Sequence, residues 1–465
     1  MASTLTSTST LTAALTSSCP FRACRFLGPI LLAGLLGCGA GGGKDLPCSA
    51  EERKADVLAI MEDVYLFNDE TTQTSKYSTD LGLYSDAGDL LDFLRYLPDE
   101  FDRGFSFITT TSSDAQFFGE GEYPGFGIFL SDVDQGELFI TDVIPGSPAE
   151  REGMERGDQI LAIGATTIDS DTDILDVVLA LGPAEIGVAR SFDLQAQNGD
   201  ERTLDLVSEI IVIDPLPLID VIESNGEMVG YMLFHAFIRP ALTDLREAFA
   251  IFKTMGVTRL IVDLRYNGGG LLEVAETFND LLGGPTRVGE VQYRQTFNPK
   301  YSGFDADILF VHEANSIDFD KIVFITTERS ASASELIINS LFPYTDIDVA
   351  IVGDRTFGKP VGQGAFDFCK GELLLRAVAF QTLNSNGDGD YFEGLMPDCF
   401  ADDDLSVALG DSAEASLAAA LTVIDTGMCP ISSSAATAAR SETRESEASA
   451  AVRGTTPWRR EAQIY

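Results

Sequence analysis

From Ala50 to about Pro98, apolar residues recur at three- and four-residue steps. Val57, Ile60, Met61, Val64 and Tyr65 come first, then, more loosely, Leu90, Leu91, Phe93, Leu94 and Tyr96. That spacing puts them on one face of a helix and predicts a small helical region ending at Asp102-Arg103-Gly104-Phe105-Ser106-Phe107-Ile108. From Tyr123 the pattern shortens to strands and turns, as in Gly125-Phe126-Gly127-Ile128-Phe129-Leu130 and Leu138-Phe139-Ile140-Thr141-Asp142-Val143. From Glu209 strands and helices alternate: Val229–Phe234, a helix over Ala241–Met255, Leu260–Leu264, Lys321–Thr326 and Val349–Gly353. A strand pair within Glu372–Phe380 and a helix over Ala413–Ile424 follow. The fold class is therefore α/β in several domains: a helical region (48–112), a β-rich domain (113–208) and an α/β core (209–429). Residues 430–465, rich in Ser, Ala, Thr and charge, are expected to be disordered.

The amino terminus lacks both periodicities. Arg22 and Arg25 precede the apolar run Phe26–Gly37, too short to cross a bilayer, and then Cys38. We read residues 1–37 as a lipoprotein-type signal peptide. Leu35-Leu36-Gly37-Cys38 resembles a lipobox, so Cys38 is the expected lipidation site and 38–47 a tether; plain secretion is the alternative. Either way the mature chain is exported; the lipobox reading places it in a periplasm or at a cell surface with a membrane as partner through the lipid. The formal charge of −42, from 73 acidic and 31 basic residues, offers phosphates no basic surface and excludes nucleic acid as a partner. In an oxidising compartment Cys48, Cys369, Cys399 and Cys429 are left to pair. Of three possible pairings we expect Cys369–Cys399 and Cys48–Cys429, the latter tying the ends of the folded region together. Two histidines and no CxxC spacing speak against zinc, and no metal or other cofactor is expected.

Three turns in the core carry candidate chemistry, each after a buried strand. Ser330-Ala331-Ser332-Ala333-Ser334-Glu335 lies between a strand and a helix, where a hydroxyl can stand beside the N–H groups of a helix N-terminus. The same residues also form a capping box, which needs no catalysis. Asn267-Gly268-Gly269-Gly270 lets backbone approach a ligand closely. It lacks the Lys-Ser/Thr of a phosphate loop, so nucleotide binding is not expected. In Gly358-Lys359-Pro360-Val361-Gly362-Gln363, a buried, uncharged Lys359 could accept a proton from a serine, with Gln363 orienting its amine. Neither His235 nor His312 sits in a motif that would make a Ser-His-Asp arrangement. Asn384-x-Asn386-x-Asp388-Gly389 has the start of a calcium loop without its closing glutamate, since residue 395 is Leu395.

Two resemblances draw these turns together. Gly125–Leu130, Pro145-Gly146-Ser147-Pro148-Ala149 and Gly157-Asp158-Gln159-Ile160-Leu161-Ala162-Ile163-Gly164 resemble a PDZ domain. Its carboxylate-binding loop would fall on Gly125, Phe126, Gly127 and Ile128, where backbone N–H groups could hold the end of a peptide added as a strand. Leu264–Gly270, Ser330–Glu335 and Phe357–Gln363, in that order behind the PDZ-like segment, resemble the carboxyl-terminal processing (tail-specific) proteases of peptidase family S41. The likeness runs from about Val57 to Val423. It implies a ClpP/crotonase-like core and a serine endopeptidase acting on exported polypeptides through their carboxyl ends. It assigns Ser332 as nucleophile, Lys359 as base and Gln363 as its support. The backbone N–H groups of Ala333 and Gly269 would form the oxyanion hole, the glycine being fixed to within one position. The chain departs from the family at Tyr266, Gly268 and Pro360, none of which supplies a catalytic functional group. A non-catalytic peptide or hydrophobic-ligand binder on the same fold is the alternative.

Overall fold

The computed structural model describes residues 48–69, 75–95 and 101–430. The expected signal peptide with Cys38, the expected tether and the residues from 431 on lie outside them. The core is a six-stranded sheet in the order Leu218–Ser224, Glu227–Leu233, Arg259–Asp263, Lys321–Thr326, Asp348–Gly353, Cys399–Phe400. Its first pair is an antiparallel hairpin and the remaining pairs are parallel. Lys321–Thr326 is buried at all six positions, as a parallel strand covered on both faces should be. Helices Ala241–Met255, Leu272–Leu282 and Ala333–Leu341 contribute to the larger apolar cluster beside the sheet. Ala241, Leu245, Ala248, Phe249 and Phe252 form the buried stripe of the first of them. Each phenylalanine so covered contributes about 1.5–3 kcal/mol. Helix Ala415–Thr426 packs with a second cluster of sheet residues that includes Val229, Ile261, Val323 and Val352.

A five-stranded antiparallel sheet stands beside this core. Phe107–Thr110, Leu373–Leu383, Val291–Phe297 and Ala306–Leu309 form its path, and Val361–Phe368 pairs with Leu373–Leu383. The expected strand pair within 372–380 is thus one long strand whose partner begins two residues after Lys359. The chain turns between them at Cys369–Gly371, where Cys369 and Lys370 take positive φ. The amino-terminal helices Ala50–Val64 and Ala87–Leu94 pack on this hairpin, Val57, Met61, Leu90 and Leu94 against Leu375 and Val378. Among the described residues of the predicted 50–98 region these two segments are α-helix, and short 3-10 turns lie between them.

The β-rich domain has a four-stranded sheet (Thr166–Thr167, Gln159–Ile163, Ala189–Gln195, Glu201–Val207) and the pair Ile128–Leu130 with Ile140–Val143, around its own apolar cluster. Just past its expected end at 208, Glu209–Val212 pairs with Glu122–Gly125 as a separate two-stranded sheet.

Both disulfides differ from expectation. Cys48 pairs with Cys369 and Cys399 with Cys429, at Cα separations of 5.4 and 5.5 Å. The packing explains it. The first helix lies on the hairpin, bringing Cys48 to the Cys369 turn. The last helix returns along the parallel sheet, bringing Cys429 to the edge strand that carries Cys399.

Candidate active site

Strands Arg259–Asp263 and Lys321–Thr326 are parallel neighbours, so the loops leaving their carboxyl ends meet. Ser330 Oγ donates to the Leu264 carbonyl (2.7 Å) and Ser334 Oγ to the Asn267 carbonyl (2.9 Å), which also accepts the Ala331 N–H (3.0 Å). Ser330 and Ser334 are fully buried and stitch one loop to the other. Ser332 is the partly exposed serine of the three. It caps helix Ala333–Leu341 at φ 58°, ψ −110°, a left-handed conformation that costs a non-glycine residue about 1–3 kcal/mol. Gly269, at φ 94°, lies flat against this turn: a Cβ there would stand 2.7 Å from the Ala331 oxygen, 2.8 Å from the Ala333 nitrogen and 2.9 Å from Ser332 Cβ. Ala333 N–H is in the first turn of its helix, where no intrahelical acceptor is available. The Gly269 N–H, by contrast, donates to Asn267 Oδ1 at 2.9 Å. The expected oxyanion pair is adjacent in space, but one of its two donors is occupied.

Glu335 joins the serine turn to the lysine turn. One oxygen of its fully buried carboxylate accepts the N–H of Ser332 and that of Lys359, each at 2.8 Å. The other accepts Thr356 Oγ1 and the Gly358 N–H, each at 2.6 Å. Burial raises the Glu335 carboxyl above its ordinary range, and those four donors work against the rise. The capping box in the sequence announced the link to Ser332; the link to Lys359, 24 residues on, had no local signal. Lys359 is 3% exposed. Its Nζ lies 3.2 Å from Gln363 Oε1 and 5.1 Å from the centroid of the Phe105 ring. The structure thus brings Lys359 and Gln363 together, and Glu335 fixes the backbone of Lys359 and Ser332.

His235, a weighed alternative base, has Nε2 3.1 Å from Asp142 Oδ2 and its ring against Phe129. His312 is exposed. Asn384 Oδ1 accepts the N–H groups of Asn386 and Asp388, which makes that segment a turn. Among the described residues no group of three or more His, Cys, Asp or Glu is arranged to hold a metal, and no helix is long and apolar enough to cross a membrane.

Gly125, Phe126, Gly127 and Ile128 lead into strand Ile128–Leu130, which has one edge paired with Ile140–Val143 and no strand on the other among the described residues. The β-rich domain also reaches the loops that carry Tyr266 and Arg329. Arg156 donates to the Thr141 carbonyl (2.5 Å), Tyr266 Oη (2.9 Å), Asp403 Oδ1 (2.6 Å) and the Val407 carbonyl (3.1 Å). Arg329, next to the serine turn, donates to the Ser131 carbonyl and to Asp132. Beneath Tyr266, Arg265 is fully buried among Asp263, Asp403 and Glu414. Burial disfavours the Arg265 charge, but these carboxylates outweigh it and hold the guanidinium well above its usual range. A 600 Å³ cavity lies at this junction, lined by Gly157, Gln197 and Asp402–Ser406, away from Ser332.

Comparison with known proteins matches residues 228–400 to peptidase family S41 and residues 139–186 to the PDZ domain. The chain is 29% identical over 283 residues to a carboxyl-terminal-processing protease of a Picosynechococcus species, covering 60% of this chain and 64% of that protein. It is 27% identical over 274 residues to carboxyl-terminal-processing peptidase 3, chloroplastic, of Arabidopsis thaliana, covering 56% and 50%. The matches span between half and two-thirds of these relatives. A Bacteroides fragilis crystal structure described as an S41 protease superposes with a TM-score of 0.62 at 23% identity, covering 80% of this chain and 97% of that one. That likeness concerns the fold.

Proposed function

We propose, from the match of residues 228–400 to peptidase family S41 and of residues 139–186 to the PDZ domain, that this chain is a serine endopeptidase working through a Ser332–Lys359 dyad. The observation that carries the reading is Glu335, whose one carboxylate oxygen takes the backbone N–H of both residues and so sets nucleophile and base against a common point. A nucleophilic serine needs a base, and Lys359 is buried beside an amide and an aromatic ring.

In the neutral form, Lys359 Nζ takes the proton of Ser332 Oγ as that oxygen adds to a peptide carbonyl. The Ala333 N–H faces the developing oxyanion; such a donor is worth about 3 kcal/mol. The Gly269 N–H becomes the second donor when Asn267 Oδ1 releases it. Collapse of the tetrahedral adduct breaks the C–N bond, and Lys359 returns its proton to the leaving amine. Lys359 then deprotonates the water that cleaves the serine ester and returns that proton to Ser332 Oγ. Gln363 Oε1 orients the amine without adding charge. The open edge of Ile128–Leu130, entered through Gly125–Gly127, receives the carboxyl end of the polypeptide as an added strand. Export and lipid attachment at Cys38 belong to the same reading.

Ser332→Ala and Lys359→Ala should each abolish cleavage of an unfolded polypeptide near neutral pH, and Ser332→Ala should abolish labelling by a fluorophosphonate. Cleavage surviving in either variant overturns the dyad. A folded wild-type protein that is neither labelled nor cleaves would instead be a binder.

A further inference from the structure

The lysine turn is held from a part of the chain that lies more than 250 residues away. Arg103 Nη2 donates to the Phe357 carbonyl (2.9 Å) and the Gly358 carbonyl (2.7 Å), the two residues before Lys359, and to the Phe392 carbonyl (3.0 Å). Its guanidinium also stacks on the Phe357 ring, 4.7 Å from the centroid. Two residues on, Phe105 is 1% exposed and makes two different contacts with the base. Its ring lies under Lys359 Nζ at 5.1 Å, and its carbonyl accepts from Gln363 Nε2.

The second contact decides which way the amide faces. A carbonyl can only accept, so it takes the Gln363 NH₂ group and leaves Oε1 turned to the amine, 3.2 Å away. Without the Phe105 carbonyl in place, either end of that amide could face Lys359.

The segment carrying both residues is itself pinned. Buried Asp102 accepts the Ser106 N–H (2.9 Å), Ser106 Oγ (2.7 Å) and Tyr65 Oη (2.8 Å). Ser106 Oγ accepts the Val378 N–H (3.0 Å) from the strand paired with Val361–Phe368, which begins two residues after Lys359. Gly104, at φ 85°, makes the turn that puts Arg103 and Phe105 against the same loop. The segment grips the backbone before Lys359, the lysine amine and its orienting amide together.

We propose that Arg103 and Phe105 are positioning residues for the base: Arg103 fixes the main chain that presents Lys359, and Phe105 fixes the direction of its amine through its ring and through Gln363. The inference rests on the dyad reading above. It gives the amino-terminal region a role in turnover rather than in substrate binding. Misplacing a reacting group by about 1 Å costs on the order of a hundredfold in rate. Substitution should therefore lower kcat and leave KM nearly unchanged.

The test uses the full chain, with active sites counted by fluorophosphonate burst so that misfolded protein does not enter kcat. Arg103→Gly should lose about tenfold to a hundredfold in kcat per titrated site, with KM within about twofold. Millimolar methylguanidinium should restore part of that loss in Arg103→Gly and none in wild type. Phe105→Leu, which keeps apolar volume but not the ring face, should lose about threefold to tenfold in kcat alone. If kcat per titrated site stays at the wild-type value in both variants, or if KM carries the loss, the positioning role is overturned while the dyad stands. If Lys359→Ala still cleaves, the dyad fails and this inference with it.

Discussion

Ser332 adopts a backbone conformation that few non-glycine residues tolerate, and Gly269 is the neighbour that makes room for it. With three atoms of the serine turn within 3 Å of where its Cβ would be, and a φ of 94°, Gly269 has no space for any side chain. Gly269→Ala should therefore displace Ser332 or the Asn267–Gly270 loop. The fluorophosphonate acylation rate should fall by at least about tenfold, while far-UV circular dichroism keeps the wild-type spectrum. An alanine variant acylated at the wild-type rate would show that the loop can move aside freely. At this scale the sequence was informative about residue types: the serine, lysine, glutamine and glycine all sit in short motifs. It was silent on Glu335 as a shared acceptor and on Arg103 and Phe105. A hydrogen bond between residues 24 or 254 positions apart leaves no periodicity and no spacing to read.

Among elements, those set by one dominant apolar pattern matched the sequence reading closely. Helix Ala241–Met255 and strand Lys321–Thr326 have the bounds that periodicity and continuous apolarity predict. The hairpin around Cys369 did not, because glycines and an aspartate interrupt the alternation of Val361–Phe368, a strand largely half-exposed. The disulfide joining Cys48 to Cys369 fastens the first helix to the turn of that hairpin, whose first strand carries Gln363. Closing so long a loop stabilises by about 2–4 kcal/mol. Cys48→Ala should thus lower the thermal midpoint by several degrees, with earlier proteolytic cutting before residue 95. Cys369→Ala should reproduce it. An unchanged midpoint would mean that helix packing alone holds this element.

Across the whole molecule, a charged junction ties the PDZ domain to the core beside the candidate oxyanion loop. Asp403 accepts from Arg156, Arg265 and Tyr266. Burial raises the Asp403 carboxyl, but the two guanidiniums and the Tyr266 hydroxyl outweigh it and leave it below the ordinary value. A carboxyl depressed on folding contributes stability that is present above its unfolded pKa, about 3.9. That stability is lost as pH falls through the folded value. Asp403→Asn should therefore unfold at lower temperature than wild type at pH 7, and the difference should shrink below about pH 4. A gap that is constant with pH would assign the loss to packing.

The sequence by itself determined the three-part α/β organisation, the order of its parts and the residue types of the candidate site. Each of these is written in local periodicity or in motifs a few residues long. Only the tertiary structure decided the partners. It paired Cys48 with Cys369 and Cys399 with Cys429, engaged the Gly269 N–H with Asn267, and set one carboxylate between serine and lysine. The physical reason is common to all of them. Hydrogen bonds and disulfides act over a few ångströms, and packing, not chain position, chooses which groups come that close.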